Sequence, residues 1–290
     1  MQFFKILFSP ITAPIRFIQR NFKATILVII LISLYNNSSK TSLTPANLQE
    51  ITLSGAIMNS DEILNKINNA KTNNNIKGVL LVVNSPGGAV APSIEIAYAI
   101  RELNRLKPVI AYAAGTIASG SYYSSIWASK IIANPGSMVG SIGVIMQSYD
   151  ASDLLNTIGI KMQTVKAGTY KEAGTPTRKW SKAESDELNK VIKDTYNMFV
   201  RDVANARKLD VKDHKVFADA HIFTASQAKE VGLIDEVDTI SRAKELLVMK
   251  SGVQNPVWNR KDKLDKFMEK LVQSTISQVN MSTVNKLMAF

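Results

Sequence analysis

Three short segments rich in glycine and serine hold the residues whose types could do chemistry. They read NSPGG from Asn84, ASGSYYSS from Ala118 and GSIG from Gly140. Each follows a predicted strand, and α/β proteins bind ligands beyond the carboxyl ends of their parallel strands. Glycine allows a backbone N–H to point into such a site. A serine among these glycines could cap the next helix, or attack a carbonyl whose oxyanion the N–H groups stabilise.

A serine hydroxyl needs a base before it becomes a nucleophile. The sequence has 2 histidines, His214 and His221, which both lie late in the chain and which we interpret as structural. The alternative base is a lysine kept neutral by burial. Lys171, in the glycine-containing segment KAGTYK, is the candidate. Because most lysines are solvated surface residues, the residue types leave a Ser–Lys pair as one possibility among others.

Composition narrows the kinds of site and partner. The chain of 290 residues has 0 cysteines, which excludes disulfides, thiolate nucleophiles and cysteine-ligated zinc. With 2 histidines we expect no metal site, and we expect no cofactor. The net charge of +11 favours an anionic neighbour. We expect a membrane surface and no nucleic acid, since the sequence contains no recognisable nucleic-acid-binding module.

Strands that alternate with helices predict an α/β fold with a largely parallel sheet. The predicted strands span residues 48–58, 77–83, 108–113, 130–133, 144–148 and 161–166. The predicted helices span residues 61–69, 92–107, 151–157, 181–207 and 224–232. A capping box at Ser181 and Glu184 begins the longest helix. Its predicted buried stripe consists of Leu188, Val191, Ile192, Thr195, Phe199 and Val203.

The N-terminal residues have the pattern of a membrane signal. Residues 24–35 form an uncharged apolar run, four basic residues precede it, and Glu50 is the first acidic residue. We favour an uncleaved signal-anchor over a cleaved signal peptide or a buried helix. The positive-inside rule then places the N-terminus in the cytoplasm and the rest of the chain outside it.

These patterns divide the chain into five parts. They are a basic cytoplasmic or interfacial segment (1–23), a signal-anchor transmembrane segment (24–36), a linker (37–47), an α/β domain (48–245) and a basic helical tail (246–290).

The order of the motifs resembles the signal peptide peptidase A, or protease IV, family in its short bacterial form. NSPGG, GTIASGSYY, GSMVGSIGV and KAGTYKEAGTP follow one another as in that family, and KEVGLIDEV from Lys229 is similar to its helix-turn-strand. The resemblance covers residues 48–245. It implies a Clp protease/crotonase-like fold of repeated ββα units, preceded by the N-terminal membrane anchor.

The resemblance also implies roles for individual residues. Ser119 would be the nucleophile, Lys171 its general base and Ser141 the hydroxyl that orients the base. The backbone N–H groups of Gly88 and Gly120 would stabilise the oxyanion. The substrate-binding residues would be Asn84, Ser85, Pro86, Gly87, Val139, Gly140, Ile142 and Gly143.

The function implied by the resemblance is that of a membrane-anchored serine endopeptidase. It would hydrolyse cleaved signal peptides and other hydrophobic peptides through an acyl-enzyme. Its location would be the bacterial inner membrane, with the catalytic domain on the extracytoplasmic side. It would form a homo-oligomer whose active sites are shared between subunits.

One departure from the family pattern keeps alternatives open. Ser121 stands where the family usually has glycine, which could narrow the site and adds a weaker rival nucleophile. A membrane scaffold of the same fold without catalysis is therefore an alternative. A crotonase-type acyl-CoA enzyme is a further one, and a Ser-His-Asp protease would require His214 or His221.

Overall fold

A computed structural model describes residues 45–259 together with Asn21, Lys23 and Ile26. The chain divides into two compact units, Met1–Pro45 and Ala46–Phe290, and the fold below is that of the second. Among the described residues, no helix combines the length and the apolar character needed to cross a membrane. The predicted anchor at 24–36 lies outside the described residues except for Ile26, and so does the basic tail beyond residue 259.

Helices and strands alternate through the described part of the chain. The strands are β1 (Leu48–Ser54), β2 (Gly78–Ser85), β3 (Val109–Ala118), β4 (Lys130–Ala133), β5 (Met138–Gly140), β6 (Ile222–Thr224), β7 (Glu236–Val237) and β8 (Trp258–Asn259). The helices are α1 (Asp61–Thr72), α2 (Val90–Leu106), α3 (Gly120–Ser125), α4 (Ser152–Thr157), α5 (Lys182–Arg207), α6 (His214–Phe217), α7 (Ala225–Glu230) and α8 (Ile240–Ser251).

Within the described residues the eight strands form one sheet, in the order β6-β5-β3-β2-β1-β8. Strand β4 pairs with the first half of β3 and with β7, whereas β5 pairs with the second half of β3. All of these pairs are parallel except β5–β6. The predicted α/β class is therefore confirmed.

Strand β2 lies at the centre of the sheet and is buried on both faces, as its continuous apolar sequence predicts. Val79, Leu81 and Val83 face the larger core. Leu80 faces a smaller core, where it packs with Ala243 and Leu247 of α8. The carboxyl end of β2 is thus held firmly from both sides.

Helix α5 begins with the predicted capping box. The Ser181 hydroxyl accepts a hydrogen bond from the Glu184 N–H, and the Glu184 carboxylate accepts one from the Ser181 N–H. The prediction of one continuous buried stripe is wrong. Phe199 and Val203 are buried, but Val191 is 49% exposed, because the first half of α5 borders an open cleft and not the core.

The strands predicted at 144–148 and 161–166 are not present. Neither segment has a backbone partner among the described residues, and a strand requires one. We name residues 145–170 the apolar segment, because it exposes nine large hydrophobic side chains. They are Ile145, Met146, Tyr149, Leu154, Ile158, Ile160, Met162, Val165 and Tyr170.

Candidate active site

The carboxyl ends of β2, β3 and β5 bring the three glycine- and serine-rich segments to one edge of the sheet. β2 ends at Ser85, β3 ends at Ala118, and β5 ends at Gly140. The Ser119 N–H donates to the Gly140 carbonyl at 2.8 Å, so the turns after β3 and β5 are in direct contact. This edge is where α/β sheets bind ligands.

Ser119 occupies the turn between β3 and α3 in a strained conformation. Its φ of 51° and ψ of −125° lie where residues other than glycine are rarely found. Its side chain makes no capping hydrogen bond, and none to any other described residue. A serine whose hydroxyl is held on a sharp strand-to-helix turn has the geometry of an exposed nucleophile.

Gly88 presents a backbone N–H that is free of hydrogen bonds within the described residues. The Ile57 N–H donates to the Gly87 carbonyl at 2.9 Å, and the Ile57 carbonyl accepts from Ala89 N–H at 2.8 Å. This parallel bridge occupies one side of Gly88 and leaves its own N–H directed to the other side. A side chain at Gly88 is excluded, since a Cβ there would lie 2.2 Å from the Ile57 oxygen.

The N–H of Gly120 is a second donor without a partner among residues 45–259, because the first residues of a helix have no earlier carbonyl to bond. It adjoins the first donor: a Cβ built on Gly120 would lie 3.3 Å from the Gly88 nitrogen. The same Cβ would lie 2.2 Å from the Ser93 hydroxyl oxygen. Two free N–H groups beside a serine hydroxyl can stabilise an oxyanion formed by attack on a carbonyl.

A cleft of about 710 Å³ contains both Ser119 and Ser141. Its other lining residues are Pro86, Gly88, Val90, Gly143, Val144, Ile145, Asn189, Ile192, Lys193, Tyr196, Asp219 and Ala220. A second cavity of about 30 Å³ adjoins Ser119 and Gly120 and is walled by Tyr123, Met198 and Phe199. Because its walls are mainly apolar, this small cavity suits a small hydrophobic side chain.

The Tyr123 hydroxyl beside the small cavity is neutral. Burial raises the pKa of Tyr123 well above its usual range, and the hydrogen bond from its hydroxyl to Asp202 acts in the same direction. The Tyr123 ring also packs edge-on against Phe199, with 4.8 Å between ring centroids. The wall is therefore fixed in place as an uncharged surface.

Ser141 shares the cleft with Ser119 and also has a φ of 51°. Its N–H donates to the His221 carbonyl at 2.6 Å, which fixes the turn after β5. Its hydroxyl makes no hydrogen bond to any described residue, so it can contact a further group that enters the cleft.

Lys171 does not line either cavity beside Ser119. It is exposed on a turn after the apolar segment, and its amine forms no ion pair or hydrogen bond within the described chain. The lysine that does line the cleft is Lys193 of α5. One copy of the chain thus brings Ser119 and Ser141 together and leaves Lys171 apart from them.

Salt bridges connect the residues that flank Lys171 to the start of α5. Glu172 forms salt bridges with Lys166 at 2.6 Å and with Arg178 at 3.1 Å. Arg178 forms a further salt bridge with Glu184 at 2.7 Å. The hydrogen bonds from Lys166, Thr164 and Arg178 lower the pKa of Glu172 to about 2. Those from Arg178 and from the Ser181 N–H lower the pKa of Glu184 to about 2.

Three of the predicted substrate-binding residues are buried, and a fourth, the exposed Asn84, is held by a backbone contact. The Asn84 side-chain oxygen accepts from the Thr116 N–H at 3.0 Å, at an irregularity between β2 and β3. The Ser85 hydroxyl is buried and accepts from the Gly87 N–H. Val139 and Ile142 are fully buried core residues. Of the other predicted substrate-binding residues, Pro86 and Gly143 line the cleft, whereas Gly87 and Gly140 support it through their backbones.

Neither histidine is positioned as a base for Ser119. The rings of His214 and His221 do not line the two cavities, and they pack against Tyr196 and Phe223. Within the described residues, no group of histidine, cysteine, aspartate and glutamate side chains could hold a metal ion.

No sequence pattern indicates the cleft residues contributed by α5 and by the turn before β6. They are Asn189, Lys193, Tyr196, Asp219 and Ala220. A turn with positive φ at Asp219 and Ala220 places the chain opposite Ser141. No motif marks it, because its position depends on the antiparallel pairing of β5 and β6.

Comparison with known proteins shows which protein family the chain resembles. Residues 101–254, more than half of the chain, match the family model described as "Peptidase family S49". The "Putative protease MJ0651" of Methanocaldococcus jannaschii is 42% identical over 193 residues, which cover 67% of this chain and 62% of that protein. The "Putative signal peptide peptidase SppA" of Enterococcus faecium is 34% identical over 196 residues (65% and 57% covered). Protease 4 of Salmonella typhi is 30% identical over 238 residues (76% and 38%).

The chain spans about 60% of the length of the first two of these relatives, with 62% and 57% covered. Among solved structures, a mutant of the 1510-N membrane-bound stomatin-specific protease matches with a TM-score of 0.47 and 16% identity, covering 70% of this chain and 85% of that one. A mutant of ClpP1 from Listeria monocytogenes matches with a TM-score of 0.47 and 15% identity, covering 67% and 93%.

Proposed function

The chain belongs to peptidase family S49, and from that premise we propose that it is a serine endopeptidase with Ser119 as nucleophile. The observation that carries the proposal is the position of the unbonded Ser119 hydroxyl, on a strained turn beside the free N–H groups of Gly88 and Gly120. This combination can lower the barrier of an acyl-transfer reaction, because it stabilises charge that forms only in the transition state.

The reaction proceeds in two acyl transfers. The neutral amine of Lys171 takes the proton of the Ser119 hydroxyl while the serine oxygen bonds to the peptide carbonyl carbon. Gly88 and Gly120 donate hydrogen bonds to the resulting oxyanion. The C–N bond then breaks, the lysine returns the proton to the leaving amine, and an ester on Ser119 remains. Water, deprotonated by the same lysine, hydrolyses the ester and regenerates the serine.

Lys171 reaches Ser119 from a second copy of the chain in this proposal. Lys171 lies outside the cleft of its own copy, directly after the apolar segment. Nine large hydrophobic side chains are exposed within that one segment. Monomeric soluble proteins rarely expose so many apolar side chains in one place. A homo-oligomer would cover them and would bring the lysine of one copy to Ser119 and Ser141 of the next. Ser141, whose hydroxyl is free, would orient the incoming amine.

The proposed substrates are cleaved signal peptides and other short hydrophobic peptides. The small cavity beside Ser119 supports this choice, since Tyr123, Met198 and Phe199 offer an uncharged wall to one side chain of the substrate. Pro86, Gly87 and Gly88 on one side of the cleft and Gly140 to Gly143 on the other would pair with an extended peptide backbone. No cofactor is needed for this chemistry.

We further propose that the chain is anchored in the bacterial inner membrane by residues 24–36. The catalytic domain, 48–245, would adopt the Clp protease/crotonase-like fold of repeated ββα units on the extracytoplasmic side. The support is the sequence pattern of basic residues followed by an apolar run, together with the net charge of +11. If full-length chain were extracted from bacterial membranes by alkaline carbonate, the anchor would be contradicted.

The decisive experiment uses the full chain in detergent and measures cleavage of a hydrophobic peptide library. We expect Ser119→Ala and Lys171→Ala to lose cleavage by at least about 10³-fold while still assembling. Lys193→Ala is the matched control, because this lysine lines the cleft but has no role in the proposal. Loss of cleavage with Lys193→Ala and retention with Lys171→Ala would refute the assignment of the base. Absence of cleavage by the unsubstituted, assembled chain would favour the scaffold alternative.

A further inference from the structure

Ser121 is a polar residue that is fully buried at the junction of β2 and β3. Its hydroxyl oxygen accepts a hydrogen bond from the Ala118 N–H at 2.9 Å. It donates to the Ser85 carbonyl at 2.7 Å, and the Ala118 carbonyl is 2.9 Å away. Since a hydroxyl has one proton, the shorter contact marks Ser85 as its main acceptor. The Ser121 side chain is therefore neither a nucleophile nor a wall of the cleft.

The hydroxyl connects the two strands where their direct pairing becomes irregular. The register between β2 and β3 shifts between Val83 and Ser85, next to the last paired residues. At this point the Ser121 hydroxyl joins the Ser85 carbonyl of β2 to the Ala118 N–H of β3. It thus adds a side-chain link beside the Ser85–Ile117 backbone pairing with which the two strands end.

Each strand leads from this bridge directly to one oxyanion donor. Gly88 follows Ser85 by three residues, and Gly120 follows Ala118 by two. The free N–H groups of both glycines must lie about 2.7–3.1 Å from the position of the oxyanion, so a small change in their separation weakens stabilisation. The bridge thus joins the strand ends from which both segments begin.

We propose that Ser121 is a positioning residue whose hydroxyl sets the spacing between the Gly88 and Gly120 N–H groups; this rests on the function proposed above. Ser121→Ala leaves the Ala118 N–H and the Ser85 carbonyl buried without this partner. The ends of the two strands then shift relative to each other. The peptide still binds along the cleft, but the oxyanion is stabilised less.

The test compares Ser121→Ala with Ser125→Ala in the full chain. Ser125 is also fully buried on α3, but its hydroxyl donates only to the Ser121 carbonyl within the helix, at 2.8 Å. We expect Ser121→Ala to lower kcat about 10- to 100-fold with KM unchanged within about twofold. A peptide aldehyde, whose bound adduct carries the oxyanion, should lose affinity by about the same factor. Ser125→Ala should change kcat by less than about twofold.

Hydrogen exchange supplies a readout that does not depend on activity. The Ala118 N–H should exchange faster in Ser121→Ala and at the unsubstituted rate in Ser125→Ala. An unchanged kcat, a loss confined to KM, or equal losses in both variants would overturn the proposal on Ser121. Inactivity of the unsubstituted chain, or full activity of Ser119→Ala, would instead contradict the proposed function and remove the basis of this one.

Discussion

Gly87 lies directly against Gly120, and a Cβ built on Gly87 would be 2.6 Å from the Gly120 nitrogen. The same Cβ would be 2.8 Å from the Ala118 oxygen and 2.8 Å from the Ser119 Cβ. The loop after β2 thus packs without side chains onto the turn that carries the candidate nucleophile. This contact allows two N–H groups from different strands to approach one oxyanion.

Gly87→Ala should therefore abolish catalysis by steric overlap. The new methyl group would push the loop away from Gly120 and separate the two donors, which we expect to lower kcat at least about 100-fold. Peptide cleavage measures this effect.

Gly55→Ala is the matched control for Gly87→Ala. Both glycines have positive φ, +97° and +72°, but no atom lies within 4 Å of a Cβ at Gly55. Strain alone should cost each variant about 1–2 kcal/mol of unfolding free energy. If Gly55→Ala lost as much activity as Gly87→Ala, strain and not overlap would explain the loss.

Arg178→Gln should make the loop around Lys171 sensitive to mild acid. The pKa values of Glu172 and Glu184 are lowered from 4.5 to about 2, so their contacts contribute stability that is lost progressively over this range and is fully lost only below about 2. Without Arg178 both pKa values should move back towards the ordinary range of about 4–5. Fluorescence of Trp180, whose indole N–H donates to the Thr175 carbonyl at 2.8 Å, reports the transition.

Lys182→Gln controls for the loss of a positive charge near the same helix end, since Lys182 pairs with Asp186 in an exposed position. We expect its acid transition to match that of the unsubstituted chain. Coincident transitions for Arg178→Gln and Lys182→Gln would show that the network does not order the loop.

Asp235→Ala should destabilise the fold and remove part of its acid sensitivity. Asp235 accepts hydrogen bonds from Arg207 at 2.9 Å, from Lys130 at 2.9 Å and from the Ile131 N–H at 2.8 Å. Burial alone would raise the pKa of Asp235, but these bonds outweigh it and lower the pKa. The stability it contributes is therefore present at neutral pH and is lost as the pH falls below the ordinary aspartate range.

The expected cost of Asp235→Ala is about 3 kcal/mol in unfolding free energy at pH 7, because Arg207 would remain buried without its carboxylate. Urea unfolding at several pH values measures both effects. Asp186→Ala, which removes an exposed carboxylate, should change stability by less than about 1 kcal/mol. Equal losses in the two variants would contradict the interpretation of Asp235.

Patterns within a single element predicted the structure best. The buried strand predicted at 77–83 and the capping box at Ser181 depend on neighbouring residues, and both are present. Strand β5 was not predicted, because Met138–Gly140 has no apolar alternation and becomes a strand only by pairing with β3 and β6. The strands predicted at 144–148 and 161–166 are absent for the opposite reason. Their residues suit a strand, but neither segment has a partner strand among the described residues.

The residues of the candidate active site were likewise predicted only in part. The motif residues Gly88, Ser119 and Ser141 meet because each follows a strand of one sheet. The sequence predicts the strands before Gly88 and Ser119, but not β5, which precedes Ser141. Lys193 of α5 reaches the cleft through tertiary packing that no local pattern reveals. The role of Ser121 also could not be deduced, since a serine on a short helix carries no sign that its hydroxyl joins two strands.

Mixing two inactive variants tests whether Lys171 acts on the neighbouring copy. Ser119→Ala and Lys171→Ala chains, unfolded and reassembled together in equal amounts, should recover about a quarter of the unsubstituted activity, since one pairing in four joins an intact serine to an intact lysine. A mixture of Ser119→Ala with the double variant Ser119→Ala/Lys171→Ala contains no intact serine and should stay inactive. If the lysine served the serine of its own copy, the first mixture would stay inactive as well. Recovery in the first mixture alone would therefore establish that each site is built from two copies, as the exposed position of Lys171 after the apolar segment leads us to expect.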